Sequence, residues 1–241
     1  AVRLPRWKPE EILKLAEDVL GPSHGRHAPR LAGLADRWPL LVVLGGALIA
    51  SGNWPEAMTG GEAFRERVFR SFKEEFLGRQ PESKRERLDR LIGLLSFVSP
   101  APKNQTLWKT ASDIINCSPM DVAQDLESLE AAGLVVENSE GVRLYPDLFA
   151  DAVLLDACLD HAGKPSFLHN EVLSKLAIHD FPALMRNVAQ ADWEARAQKG
   201  ANCSLFDPIW KEFVRRFESG VWVRGLDNLS DLRNLVLERY G

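Results

Sequence analysis

The clearest structural signal in this chain lies at residues 118–145, which read SPMDVAQDLESLEAAGLVVENSEGVRLY. Ser118 is a favourable N-cap residue and Pro119 suits the first position of a helix, so a helix is expected to begin here. Apolar residues then recur at helical spacing until Gly133, a residue type that commonly ends helices. Two short apolar runs follow on either side of the glycine-containing turn at residues 138–141, which predicts a β-hairpin.

Two further helices are expected immediately before this stretch. One is marked by apolar residues at helical spacing from about residue 83 and ends at Pro100, and the other covers residues 107–115. The order of helix, helix, capped helix and hairpin is the winged-helix arrangement. We therefore predict a winged-helix domain over residues 83–163, with the hairpin as its small β-sheet.

The remaining segments are also predicted to be helical. Residues 38–50 form an apolar run that is shorter than the roughly 20 residues of a membrane span, so we expect a helix buried on every side. Residues 1–82 as a whole predict a helical bundle. Residues 164–241 predict a C-terminal helical region, for which repeat-like pairs of helices are one interpretation. The predicted fold class is therefore mainly α.

The overall composition is that of a soluble, folded protein. Of the 241 residues, 45% are hydrophobic and 27% are charged, a balance that excludes wholesale disorder. Cys117, Cys158 and Cys203 are too few and too widely spaced for a disulfide framework or a zinc ribbon. Because the chain also has no signal peptide and no membrane-spanning run, we expect a cytoplasmic protein without a membrane partner.

The net charge of −4 is unevenly distributed along the chain. Residues 113–160 hold eleven carboxylates and one arginine, a net charge of −10. The predicted third helix of the winged-helix domain has four of these carboxylates and no lysine or arginine, whereas DNA binding needs cations for the phosphates. We therefore expect this helix to have a structural or protein-binding role and do not expect DNA as a partner.

A basic segment precedes the acidic one. Residues 65–90 contain nine cations and six anions, a net charge of +3. One interpretation is that these cations lie on a solvated helix face. The other is that they form a docking surface for an acidic neighbour, such as residues 113–160.

Sequence motifs for catalysis are missing. The chain has no phosphate-binding loop, dinucleotide fingerprint, zinc-protease motif or nucleophile elbow. His24 and His27 lie close together in a loop, but no third metal ligand is near them in the sequence. We therefore expect no catalytic residue, no metal and no cofactor in this chain alone.

A family resemblance is carried by residues 36–50, in which DRWPLL precedes an apolar run. This segment resembles the proline-containing part of the helical lid of bacterial STAND-type signal-transduction NTPases, which are related to AAA+ proteins. In that family a G-x-P motif opens a buried helix. Pro39 matches the motif's proline, whereas Arg37 stands in place of its glycine. A winged helix and then helical repeats follow the lid in that family, so the resemblance covers about residues 1–165.

The resemblance also implies which residues lie near a nucleotide. The family's proline packs near the adenine, which implies nucleotide-proximal positions for Arg37, Trp38 and Pro39. Asp147 ends a Tyr-Pro-Asp sequence that stands where many members have Met-His-Asp. Pro146 replaces the histidine that usually senses the β-phosphate of ADP and has no side-chain donor to do so. The alternative for Asp147 is a purely structural role in the first turn of a helix.

The nucleotide-binding core of such an NTPase is not contained in this sequence. The resemblance implies that this core, with its phosphate-binding loop, would precede Ala1. ATP or ADP with Mg²⁺ is therefore implied only together with that domain. The same domain, or another protein, would be the partner of this chain, and the full-length protein can form an oligomer.

The leading functional interpretation is a regulatory segment of a STAND-like ATPase switch. It would couple the nucleotide state to a helical sensor region, as in bacterial defence or signalling, without catalysis of its own. The alternatives are a winged-helix DNA-binding regulator, an enzyme whose site assembles from distant residues, and a helical scaffold. The scaffold would bind protein through four aromatic residues on one helix face: Phe206, Trp210, Phe213 and Phe217.

Overall fold

The computed structural model describes residues 7–36, 38–52, 61–102, 105–139, 141–176, 181–199 and 204–218. The chain is mainly helical with one small two-stranded antiparallel sheet, which confirms the predicted class. Its internal contacts divide it into two compact units, Ala1–Arg79 and Gln80–Gly241.

The first unit is a small helical bundle. Its helices are α1 (Pro9–His24), α2 (Ala28–Ala35), α3 (Pro39–Ala50) and α4 (Gly61–Gly78), with a 3₁₀ turn at Gly25–His27. Gly21 interrupts α1 with a φ of 58°, a left-handed conformation that suits glycine, and Pro22 follows it. These two residues therefore form a break within α1.

Helix α3 is the most apolar helix of this unit. Pro39 is its first residue, and two glycines allow α1 and α4 to approach it closely. A Cβ atom on Gly45 would lie 2.6 Å from the Phe64 ring, and one on Gly46 would lie 2.3 Å from Val19. The expectation that this helix is buried on every side is wrong for one face, where Val43 is exposed, because its neighbours pack on the other faces. No helix in the described part of the chain is long and apolar enough to span a bilayer.

The second unit is built around one central helix. Its elements, in chain order, are α5 (Glu82–Val98), α6 (Gln105–Ile115), α7 (Pro119–Ala131), β1 (Val135–Asn138), β2 (Gly141–Leu144), α8 (Asp147–Cys158), α9 (Phe167–Lys175), α10 (Phe181–Lys199) and α11 (Asp207–Glu218). The C-terminal half of α5, from Leu91 to Val98, is completely buried. Helices α6, α8, α9 and α10 pack around it.

The hairpin has a third extended partner that lies between α5 and α6 in the chain. β1 and β2 pair antiparallel, and the N–H of Ala101 donates to the carbonyl of Val142 at 2.6 Å. The N–H of Val142 donates back to the carbonyl of Ala101 at 2.9 Å. Gly141 has a φ of 137°, and a Cβ atom there would lie 2.1 Å from the Ala101 carbonyl oxygen. Only glycine fits this approach.

The C-terminal helices share the core of the second unit. Helix α10 packs on both α5 and α8. The Nδ2 group of Asn187 on α10 donates to the carbonyls of Phe97 at 2.9 Å and Ser99 at 3.0 Å, at the end of α5. The predicted boundary between residues 163 and 164 therefore does not coincide with a division of the structure, because these contacts cross it. The division after Arg79 lies three residues before the predicted boundary at 82/83.

Candidate functional site: the α5–α7 charge contact and the α8–α10 cleft

Helix α7 begins as its sequence predicts. The Ser118 hydroxyl accepts a hydrogen bond from the N–H of Asp121 at 3.1 Å, and the Asp121 carboxylate accepts one from the N–H of Ser118 at 3.2 Å. This reciprocal pair forms a capping box that satisfies backbone donors at the helix start. The helix that begins here carries four acidic side chains, at positions 121, 125, 127 and 130.

Two of those acidic side chains face the basic end of α5. Asp125 is 0% exposed, and its carboxylate accepts from Arg87 Nε at 2.5 Å and Nη2 at 3.2 Å. Lys84 Nζ lies 3.3 Å from Asp125 Oδ1 and donates to the Ser128 hydroxyl at 2.7 Å. Arg87 Nη1 also lies 3.3 Å from Asp121. Of the two interpretations of the basic segment, contact with an acidic neighbour therefore applies to Lys84 and Arg87.

The protonation equilibria of two residues in this contact, Arg87 and Asp121, are shifted. The hydrogen bond to Asp125 raises the pKa of Arg87 above its ordinary value, against the opposing effect of burial. The hydrogen bonds from the side chain and backbone of Ser118 lower the pKa of Asp121, and the nearby Arg87 charge lowers it further. Both shifts favour the charged forms of Arg87 and Asp121.

The outward face of α7 carries no cation. Met120 is 69% exposed, and Ala123, Gln124, Glu127 and Glu130 are exposed beside it. A helix that binds DNA in the major groove needs cations for the phosphates and donors for the base edges. This face offers one glutamine and two carboxylates, so it does not fit that role.

A polar cleft lies where α5 ends, α8 begins and α10 crosses them. It has a volume of about 460 Å³, and its charged and amide side chains are Arg143, Asp147, Asp151, Arg186, Asn187 and Gln190. Asp147 sits in the first turn of α8 and forms an ion pair with Arg143. The second unit therefore places one of the sequence-predicted site residues in a cleft of mixed charge.

The other predicted nucleotide-proximal residues lie in the first unit. Pro39 begins α3, and Trp38 is the exposed N-cap residue just before it. Arg37 lies outside the described residues. Trp38 and Pro39 thus belong to one unit and Asp147 to the other.

The aromatic face predicted on the last helix is only partly accessible. Phe206 is 8% exposed and belongs to the core of the second unit, so it does not present its ring to a partner. Its ring centroid lies 6.3 Å from that of Trp210, which is 39% exposed. The side chains of Phe213 and Phe217 lie outside the described residues. Burial of Phe206 follows from the tight attachment of the turn that carries it.

A buried histidine and a buried aspartate hold that turn, and no sequence motif singles out either residue. His169 Nε2 donates to the carbonyl of Leu205 at 3.2 Å. Asp192 Oδ1 accepts from the N–H of Leu205 at 2.6 Å, and Arg196 lies 3.0 Å from Asp192. Burial lowers the pKa of His169 below its ordinary value of 6.5. The only local signal was the i, i+4 spacing of Asp192 and Arg196.

The described residues contain no arrangement typical of a metal centre or a reactive thiol. No group of three or more His, Cys, Asp or Glu side chains among them is placed to hold a metal ion. Burial raises the pKa of Cys158 well above its ordinary value, which keeps that thiol protonated and weakly nucleophilic. No family model matches the chain, and neither a curated protein nor a solved structure is significantly similar to it.

Proposed function

We propose that this chain is a regulatory segment of a STAND-type ATPase, in which a lid-like bundle and a winged-helix module couple nucleotide state to a helical sensor arm. The observation that carries the proposal is the α5–α7 contact. The buried Asp125 directs the acidic side of α7 onto α5, and the outward face of α7 lacks cations. This arrangement suits a module that transmits force between protein elements.

The order of elements in the second unit supports a winged-helix interpretation. Helices α5, α6 and α7 are followed by the β1–β2 hairpin, and Ala101 between α5 and α6 pairs with β2. In this interpretation α7 is the third helix, the hairpin is the wing, and Ala101 is the short strand that joins the wing to the helices. The winged-helix assignment is part of the proposal.

The first unit supports the role of a lid. Helix α3 begins at Pro39, as the family motif requires, and Trp38 and Val43 are exposed near its start. An exposed apolar surface of this kind suits contact with a nucleotide-binding domain. In the proposal, Trp38 and Pro39 lie near the adenine side of the nucleotide, and that domain supplies the phosphate-binding loop and the Mg²⁺ site.

The second unit supports the role of a coupler. Asn187 fastens α10 to the end of α5, and α10 also packs on α8, whose first turn contains Asp147. A displacement sensed at Asp147 would therefore move α8 and α10 together as a rigid body. In the proposal this movement reaches the helical arm, which begins at α11.

A test of this proposal uses the parent ATPase with substitutions on α8. We expect Asp147→Ala to change the rate at which bound ADP dissociates, because Asp147 is proposed to face the nucleotide. Asp156→Ala is the matched control, since Asp156 is an exposed carboxylate on the same helix. Equal ADP dissociation rates for the wild type and both variants would contradict the proposed role. The purified chain alone is expected to show no ATP turnover.

The DNA-binding alternative and the coupling proposal make opposite predictions for the binding of the purified chain to duplex DNA. A DNA-binding regulator would bind duplex DNA with an affinity that falls steeply as salt rises. The proposal predicts no such binding by an electrophoretic mobility assay at 50 mM salt. Strong binding with a steep salt dependence would replace the coupling proposal with the regulator interpretation.

A further inference from the structure

The start of α11 is held by two buried polar side chains from different helices. His169 of α9 donates from Nε2 to the Leu205 carbonyl at 3.2 Å. Asp192 of α10 accepts from the N–H groups of Leu205 at 2.6 Å and Phe206 at 3.4 Å. Both side chains are buried, His169 at 0% and Asp192 at 1% exposure. One peptide segment is therefore held through its carbonyl and its amides at once.

We propose that His169 and Asp192 form a protonation-sensitive latch, which holds α11 on the second unit at neutral pH and releases it in acid. The inference stands on this geometry and does not depend on the proposed ATPase context. A carbonyl only accepts, so Nε2 carries the ring proton and Nδ1 is the site that gains a proton in acid. Nδ1 is buried and makes no well-aligned hydrogen bond to a described residue, although the Asn170 side chain lies nearby.

The environment of His169 opposes a positive charge. Helices α5, α6 and α8 pack against α9. The ring centroid of Phe97 on α5 lies 6.3 Å from the centroid of the His169 imidazole. Residues 91–98 of α5 include no charged side chain, and Lys109 and Asp113 of α6 are exposed. The charged groups of α8 are exposed as well: Asp147, Asp151 and Asp156.

Asp192 is the group that favours the imidazolium. Its Oδ1 atom is already engaged by the turn, whereas its buried Oδ2 atom makes no hydrogen bond to a described residue. Its carboxylate accepts the two amides of the turn and lies 3.0 Å from Arg196, which offsets part of its charge. Within α9, Glu171 is paired with Lys175. The lowered pKa of His169, caused mainly by burial, agrees with this arrangement.

The direction of the pH dependence follows from the different pKa of His169 in the closed and open states of the latch. In the open state the imidazole regains water and its ordinary pKa of 6.5. Because the closed state binds the proton more weakly, falling pH favours the open state. The latch is therefore fully effective above pH 6.5. Its opening constant rises by as much as about tenfold per pH unit below that value.

The test is amide hydrogen exchange, measured by NMR on the full chain between pH 7.5 and 5.5 and corrected for intrinsic exchange rates. The Leu205 and Phe206 amides should lose protection in acid, while the Tyr145 amide, bonded to the Leu134 carbonyl at 2.9 Å, should keep it. His169→Gln keeps a donor for the Leu205 carbonyl but cannot be protonated. In this variant the protection of the Leu205 and Phe206 amides should therefore not change with pH. His161→Gln replaces an exposed histidine and is the matched control.

A direct measurement on the wild type covers the case in which His169→Gln does not fold. The NMR titration of His169 should give a pKa below 6.5, and the local loss of protection should begin at the ordinary histidine pKa. Constant protection at pH 7.5 and 5.5 would overturn the proposal. So would an unchanged pH dependence in His169→Gln, or a simultaneous loss of protection at Tyr145.

Discussion

Removal of the Asp125 carboxylate is the perturbation whose effect can be worked out most fully from the structure. The carboxylate is completely buried, accepts two hydrogen bonds from Arg87 and lies 3.3 Å from Lys84 Nζ. Asp125→Ala would leave both cations without this partner. Loss of one member of a buried ion pair typically costs about 3–5 kcal/mol.

The expected value lies at the lower end of that range. The side chains of Arg87 and Lys84 remain 23% exposed, so water can hydrate them partly after the substitution. We therefore expect Asp125→Ala to lower the free energy of unfolding by about 3 kcal/mol. With a urea m-value of about 2 kcal/mol/M, the midpoint of unfolding should fall by about 1.5 M.

The assay is urea unfolding of the full chain followed by circular dichroism and by hydrogen exchange in the second unit. Glu127→Ala is the control, because Glu127 lies exposed on the same helix, and its effect should stay within about 0.5 kcal/mol. A double-mutant cycle with Arg87→Ala should give a coupling energy of about 1–3 kcal/mol. An effect of Asp125→Ala no larger than that of Glu127→Ala, or additive single effects, would refute this reasoning.

Three further predictions address the β1–β2 hairpin, the helix cap and the α10 contact. Gly141→Ala should destabilise the second unit by about 2–4 kcal/mol in urea, since it adds steric overlap to backbone strain. Gly133 has a φ of 72° and open space around it, so Gly133→Ala should lower the free energy of unfolding by only about 1 kcal/mol. Ser118→Ala should cost about 1 kcal/mol and raise the pKa of Asp121 toward 3.8, measured by carboxyl NMR. Asn187→Ala should lower the unfolding free energy by about 1–3 kcal/mol and speed amide exchange at the end of α5.

The sequence predicted those features that depend on near neighbours in the chain. The start of α7 follows from Ser118 and Pro119, and its end follows from Gly133, because these signals act within one helical turn. The turn at residues 138–141 likewise predicted the hairpin. Local chemistry is sufficient for such elements.

Features that depend on residues far apart in the chain were harder to predict from the sequence. The charge pattern suggested that basic and acidic segments meet, but it could not single out Asp125, whose partner Arg87 is 38 residues away. The bond between His169 and Leu205 spans 36 residues and has no local signature. The exposed face of α3 was also missed, since an apolar helix does not reveal which neighbours cover it.

The candidate site was anticipated only in part. Asp147 was selected through a family resemblance, and the structure adds the cleft around it with Arg186 and Asn187 from α10. Those residues could not be assigned to the site from the sequence, because α10 reaches the cleft only through tertiary packing on α5 and α8. The winged-helix assignment and the ATPase context stay predictions.

The most direct test of the central claim is to read the gene on the 5′ side of the codon for Ala1. The proposed regulatory role predicts that the open reading frame continues upstream and encodes a buried strand followed by a G-x-x-x-x-G-K-[ST] phosphate-binding loop. A stop codon followed by a start codon close to Ala1 would contradict the assignment of this chain to a STAND-type ATPase.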